Sequence, residues 1–308
     1  MCKIRVIQGS AVFFSHNQLL KNANLHDIRN LLLPNLILGQ IKKMTNEDIN
    51  SNLMEFKKLV IIANKMSKSL HGFSSSSYRH FFSTIVFARV AVQFSSFLTI
   101  VTSSLKKDKN NINYPIDIPS AASILRSLIE LYRVFYYGAI DEVLDDEVEL
   151  RRLKFELKSL YDRKTILEFF TSFLSEKDEQ SNSSDDTLNE EIIILKDKIK
   201  KNKAFASLNK SEKQRCLDEH KAMYLKEEAI DQKAGLDKNS QDGIYRFLSN
   251  EVHANPLSIE QTAGNITNNE FAQLTLMFLL NYAIDYLEMY IRGMIKLFPE
   301  VFPENFFE

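Results

Sequence analysis

Apolar side chains recur along the chain at helical spacing. Leu53, Phe56, Leu59, Val60, Ala63 and Met66 mark one helix. Thr45 is placed to cap it, accepting from the Asp48 N–H, and the run ends near His71–Gly72. The serines 74–77 open a second, strongly apolar helix that runs to about Leu105. A polar link, KKDKNNINYPIDIP, follows. Ser120, just after Pro119, caps the next helix, whose face is Ile124, Leu128, Leu131, Phe135 and Ile140. A charged helix from about Glu147 to Leu174 carries the stripe Leu150, Leu153, Leu157, Leu160 and Tyr161. Further helices are predicted near Glu212–Ala229, from Ile244 to His253 before Asn255–Pro256, and from Asn269 to Phe298. Residues 1–43 read as two or three short helices broken at Pro34.

This pattern predicts an all-α protein, an antiparallel helical bundle with additional N-terminal helices. The expected core includes Leu128, Leu131, Phe135, Leu153, Leu157, Leu248, Leu274, Phe278 and Tyr282. Residues 1–110 form an N-terminal region packed on the same body, and 111–308 form the main domain. The acidic, serine-rich stretch 175–191 has too little to bury and is expected to be a mobile loop. The last helix, with Met277, Leu280, Ile284, Leu287 and Ile291, has more apolar surface than one face requires, which points to a homodimer.

Composition sharpens this picture. The 308 residues include only 8 Gly and 6 Pro, where an average chain would carry roughly three times as many. That scarcity argues against β-sandwiches, barrels and glycine-rich phosphate loops. With 39 Lys+Arg against 40 Asp+Glu, the net charge is −1. No global field draws the chain to nucleic acid, so any phosphate-binding surface must be local. Cys2 and Cys216 define neither a disulfide framework nor a thiolate metal site. The opening residues lack a continuous apolar run and a small-residue cleavage site, so a cytoplasmic location is expected. Residues 81–102 are long enough to span a bilayer, but Arg89, Gln93 and interspersed Ser and Thr favour a core helix, with no membrane partner. His16, His26, His71, His80 and His220 show no metal-ligand spacing, so neither a metal nor another cofactor is expected. The lysines from Lys196 to Lys203 read first as a solvated helix end.

Two segments line up polar side chains. In ILRSLIELYRVFYYG, Arg126, Glu130, Arg133 and Tyr137 fall at i, i+4, i+7 and i+11, one helical stripe. As a solvated face it would hold only an i, i+4 ion pair worth about 0.3–0.5 kcal/mol. In YRFLSNEVHANP, Arg246, Asn250 and His253 fall at i, i+4 and i+7 and share a face if the helix holds to His253. A guanidinium can clamp a phosphate, an imidazole can move a proton near neutral pH, and an amide can orient either. Those parts suit cleavage of RNA by its own 2′-hydroxyl without a metal. The competing reading is a histidine favoured at a helix C-terminus by the dipole.

Arg246-x6-His253 resembles the Arg-x4-6-His motif of the HEPN superfamily, all-α domains of bacterial toxins and antiviral effectors. The chain also resembles a bacterial all-α family of unknown function with HEPN-like character. Its signatures are an early Arg-x3-Glu helix, here Arg126–Glu130, and a late Tyr/Ser/His helix, here Tyr245, Ser249 and His253. The likeness spans about 115–295, and Phe247 stands where a polar residue usually follows the arginine. The resemblance implies a metal-independent endoribonuclease or RNA-binding effector of a toxin or antiphage (abortive-infection) system. It further implies a homodimer and a neutralising or sensor protein partner. Arg246, Asn250 and His253 would be catalytic, with Arg126, Glu130, Arg133, Tyr137, Tyr245 and Ser249 in support. The alternative is a helical interaction module that keeps the polar pocket without chemistry.

Overall fold

A computed structural model describes residues 46–105 except 74 and 76, then 116–173, 179–253, 256, 258–259, 269–303 and 306. The short helices expected before Pro34 and the Thr45 cap lie outside the described residues. Those described form ten α-helices and one π turn, with no strand among them. They run α1 Asn46–Ser69, α2 Tyr78–Ser104, α3 Ile118–Phe135, the π turn Tyr136–Ile140, α4 Asp145–Phe173 and α5 Glu179–Lys201. Then come α6 Lys203–Ser207, α7 Lys210–Leu217, α8 Glu227–Lys233, α9 Lys238–Val252 and α10 Asn269–Leu297. The chain divides into two compact units that interleave along it.

The first unit comprises Met1–Phe73, Phe87–Leu131 and Asp237–Glu308. Its centre is aromatic. The Phe56 ring meets Phe94 and Phe97 edge-on at 6.0 and 5.6 Å, and Phe94 meets Tyr290 at 6.1 Å. The buried hydroxyl of Tyr290 donates to the Leu128 carbonyl (2.8 Å), and that of Tyr286 to Gln241 Oε1 (2.6 Å), so neither phenol is left unmatched. α3 starts three residues earlier than expected because Asp117 takes the capping place expected of Ser120, accepting the Ser120 N–H (3.1 Å). In α10 the residues Met277, Leu280, Ile284, Leu287 and Ile291 are all buried. The apolar surplus read as a dimer face is consumed inside the chain. Leu274, Phe278 and Tyr282 are only partly buried, because the buried line of α10 runs through Leu276, Leu279, Ala283 and Tyr286 instead.

The second unit comprises Ser74–Val86 and Tyr132–Leu236. α4 and α5 form an antiparallel hairpin, tied near its ends by Asn202 to the Asp146 carbonyl and Lys164 to Asn189 (both 2.8 Å). The expected stripe Leu150, Leu153, Leu157 and Leu160 packs with Ile192, Leu195 and Ile199. The stretch 175–191, expected to be a mobile loop, is helical from Glu179. Its acidic residues stand near the positive end of α5, and the spacing Leu188, Ile192, Leu195, Ile199 extends one helical stripe upstream. The helix expected over Glu212–Ala229 is two helices. It breaks after Leu217, where Lys154 Nζ donates to the Asp218 carbonyl (2.5 Å) and Arg215 to the carbonyls of Tyr224 (2.8 Å) and Leu225 (2.9 Å).

The π turn is the least expected element. There the Asp141 N–H reaches the Tyr136 carbonyl (2.8 Å) instead of the Tyr137 carbonyl. Arginines take two of its carbonyls: Arg151 Nη1 donates to Tyr137 O (2.5 Å), and Arg79 Nε and Nη2 to Ala139 O (2.8 and 2.6 Å). At Gly138 an added Cβ would lie 2.4 Å from the Phe82 ring. That ring is itself stacked between Tyr78 (5.5 Å) and Phe155 (5.1 Å).

Candidate active site

Both polar signatures reach the first unit, and the fold brings them together. Arg126 and Glu130 stand on successive turns of α3, on the side away from buried Leu125, Leu128 and Ile129. Asp237 caps α9 by accepting from the Ser240 N–H (2.9 Å). Burial of Gln241, Ile244 and Leu248 leaves Tyr245 and Ser249 half-buried beside that inner face of the helix. α9 ends at Val252. His253 is its C-cap, in extended backbone (φ −92°, ψ 128°), and its N–H closes on the Ser249 carbonyl (3.0 Å). The helical stripe Arg246–Asn250–His253 therefore does not run to its third member, because the chain leaves the helix there.

Arg126 is the hub. Its Nε donates to Glu130 Oε1 (3.2 Å), its Nη2 to the Tyr245 hydroxyl (2.9 Å), and its Nη1 lies 3.3 Å from His253 Nε2. The guanidinium also sits 4.9 Å from the centre of the Tyr245 ring. The Tyr245 hydroxyl in turn donates to Glu130 Oε1 (3.3 Å). An arginine has donors only, so Nε2 must offer its lone pair, which places the neutral ring's proton on Nδ1. Burial works against the charge of Arg126, but the hydrogen bonds to Tyr245 and Glu130 outweigh it and raise its pKa. The side chains of Arg126 and Glu130 are 22% and 49% exposed, and His253 is exposed. A solvent-facing cluster thus combines a cation, a carboxylate, a phenol and an imidazole whose Nε2 lone pair is turned to the cation.

The other residues singled out in the sequence are placed as follows. Arg246 is exposed and makes no hydrogen bond or ion pair with another described residue. Asn250 and Ser249 are half-buried on α9. Phe247, beside Arg246, packs edge-on against Phe278 (5.4 Å). Arg133 and Tyr137 do not join the cluster. Arg133 belongs to the second unit, where it forms a bidentate pair with buried Asp231 (2.8 and 2.7 Å) and reaches Glu227 (2.7 Å). Tyr137 is buried in the π turn, its ring edge-on to Phe155 (5.7 Å) and Tyr224 (5.8 Å). Among the described residues no group of three His, Cys, Asp or Glu side chains is arranged to hold a metal.

The sequence analysis missed a second polar cluster. Arg151, 2% exposed, donates to Asp141 (2.7 Å), to Glu147 (2.5 and 3.1 Å) and to the Tyr137 carbonyl. The Tyr224 hydroxyl donates to Glu147 (2.6 Å) and Lys233 to Asp141 (3.0 Å). Burial opposes the Asp141 charge, yet Arg151 and Lys233 hold its carboxyl below the ordinary range. Lys154, one turn along α4, is fully buried, and burial pushes its amine down to about 8. The signal for both was slight: Arg151 and Lys154 flank the Leu150–Leu153–Leu157 stripe in a helix dense with exposed charge.

Residues 80–271 match a family of unknown function, DUF5677, and so include both the Arg126–Glu130 and the Tyr245–His253 segments. No curated protein and no solved structure matches the chain.

Proposed function

The chain belongs to the DUF5677 family, and from the geometry of its own cluster we propose that it is a metal-independent endoribonuclease acting through Arg126 and His253. The observation that carries this reading is the 3.3 Å approach of the Arg126 guanidinium to Nε2 of an exposed imidazole at the end of α9. The Nε2 lone pair becomes free for a substrate proton once Nη1 turns away to a phosphate. In the proposed reaction His253 Nε2 takes the proton of an RNA 2′-hydroxyl. The 2′-oxygen bonds to the adjacent phosphorus, and the bond to the 5′-oxygen breaks. That oxygen takes a proton from water, leaving a 2′,3′-cyclic phosphate. Arg126 turns one Nη toward the phosphate oxygens as charge builds there. Tyr245 and Glu130 hold the guanidinium in place while it does so. Arg246, exposed on α9, supplies a second cation for the RNA backbone, and Asn250 lies one turn before His253. The resemblance to HEPN domains supports the wider reading of a cytoplasmic toxin or antiphage effector with a neutralising protein partner.

The test is RNA cleavage by purified protein, read beside thermal melting. His253→Ala should lower cleavage by about 10²–10⁴-fold, the usual contribution of a general base, with little change in melting temperature. Arg126→Lys should also impair it, because an ammonium cannot reproduce the fork that meets Glu130, Tyr245 and His253 together. Wild-type protein that cuts no RNA, with His253→Ala strongly destabilised, would overturn the reading.

One observation favours the alternative of an interaction module without chemistry: three chain groups already occupy the Arg126 guanidinium. Under that reading RNA still binds, Arg246→Ala weakens binding, and no cyclic phosphate appears.

A further inference from the structure

The α4–α5 hairpin carries a surface that no site described above uses. From Tyr161 to Thr171 no residue of α4 is buried, yet Ile166, Phe169 and Phe170 are each more than half exposed. On α5, Ile193 and Ile194 are exposed to a similar degree. Between the helices runs a shallow groove floored by Leu160 and Leu195 and rimmed by Glu156, Arg163, Glu191 and Lys198. Apolar surface on this scale, rimmed by charge, marks a docking face.

The charges identify the occupant. The hydrogen bond from Lys164 to Asn189 sets the antiparallel register. In that register Glu156 lies level with Lys198, and two turns further along Arg163 lies level with Glu191. Each level thus has one acid and one base, on opposite sides of the groove. A second copy related by a two-fold axis parallel to the hairpin lays its α4 over the α5 of the first. Glu156 then faces Lys198 of the other copy, Arg163 faces Glu191, and the reciprocal pairs form by symmetry. Like charges never meet, and Ile194 and the leucine floor close against each other. Arg163, Glu191 and Lys198 have no ion pair within the chain among the described residues, while Glu156 would add Lys198 of the other copy to its exposed pair with Arg152. We propose that this hairpin face is a self-docking surface through which two copies of the chain assemble as a four-helix contact. The proposal is independent of the ribonuclease reading.

The experiment uses the full chain and charge-segregated variants. The basic variant carries Glu156→Lys and Glu191→Lys; the acidic variant carries Arg163→Glu and Lys198→Glu. Wild type should sediment as a dimer at tens of micromolar, a range typical of modest self-association. Each variant alone should be monomeric there, its self-affinity at least about tenfold weaker through like-charge contact. An equimolar mixture should restore a one-to-one heterodimer, which no pairing within one chain can explain. Ile194→Asp should abolish the wild-type dimer without altering the helical circular dichroism spectrum. A monomeric wild type overturns the proposal, as does a dimer that survives in either charge variant or in Ile194→Asp. A mixture that stays monomeric overturns it too.

Discussion

Arg126 and Arg151 have similar partners in very different settings. Each meets a carboxylate on a neighbouring helical turn and lies over a tyrosine ring, Arg126 at 4.9 Å from Tyr245 and Arg151 at 4.3 Å from Tyr137. Arg126 stands partly in water, with an imidazole at one Nη. Arg151 is 2% exposed and is matched by two carboxylates and a backbone carbonyl. Around Arg151 the Tyr137 carbonyl and Asp141 tie the guanidinium to the π turn, and Glu147 closes it from α4. Around Arg126 the contacts are longer, 2.9–3.3 Å, and reach the solvent. An arginine cluster therefore points to chemistry when it is solvated and incompletely enclosed, and to architecture when it is dry and complete.

Substitution should separate the two on a common scale of stability, measured by chemical denaturation. The largest loss is expected for Arg151→Met, about 3–5 kcal/mol, because Glu147 would lose its cation, Asp141 would keep only Lys233, and the buried Tyr137 carbonyl would lose its donor.

Next comes a pH effect from Lys154. Its folded pKa of about 8 lies below its ordinary 10.5, so between those values the unfolded chain binds more protons. Stability contributed by this group therefore rises with pH across that window, by up to about 1.4 kcal/mol per pH unit. Below pH 8 both states are protonated and its cost is constant. Lys154→Met should remove that rise, so that the wild-type-minus-variant stability difference slopes upward between about pH 8 and 10.5.

Gly138→Ala should cost about 1–3 kcal/mol, the usual range for overpacking. Phe82 is held on both sides and cannot move aside. A melting temperature equal to wild type would show that the π turn relaxes. The smallest effect is expected for Arg126→Met, under about 1 kcal/mol, as for exposed ion pairs. A loss comparable to that of Arg151→Met would dissolve the contrast and make Arg126 structural.

Much of this fold was legible in periodicity. The breaker-poor sequence predicted all helices, and the ranges of α2, α4 and α10 fall within a few residues of those expected. The leucine stripe of α4 was read correctly because its apolar residues lie on one side, in a helix otherwise dense with charge. The registers of α3 and α10 were read less well. Both helices are apolar on several sides, so periodicity alone could not say which line faces inward. Breaks that depend on tertiary contacts were invisible: the end of α7 is held by Lys154 and Arg215, not by a local glycine or proline. In the site, the two signatures were visible, but their pairing was not. Arg246 shares an element with His253 and was the obvious cation. Yet Arg126, more than a hundred residues earlier, is the arginine found against the imidazole.

The π turn at Tyr136–Ile140 amounts to one extra residue admitted into an otherwise regular α-helix. Deleting one residue there would restore ordinary winding and rotate the following chain by about 100°. Asp141 would swing off Arg151, and the Tyr137 carbonyl would be reclaimed by the helix's own N–H. The inserted residue and the buried arginine are thus two halves of one device. In a related chain, a one-residue gap at this point should coincide with loss of the arginine at position 151, and either change alone should leave a polar group stranded in the core.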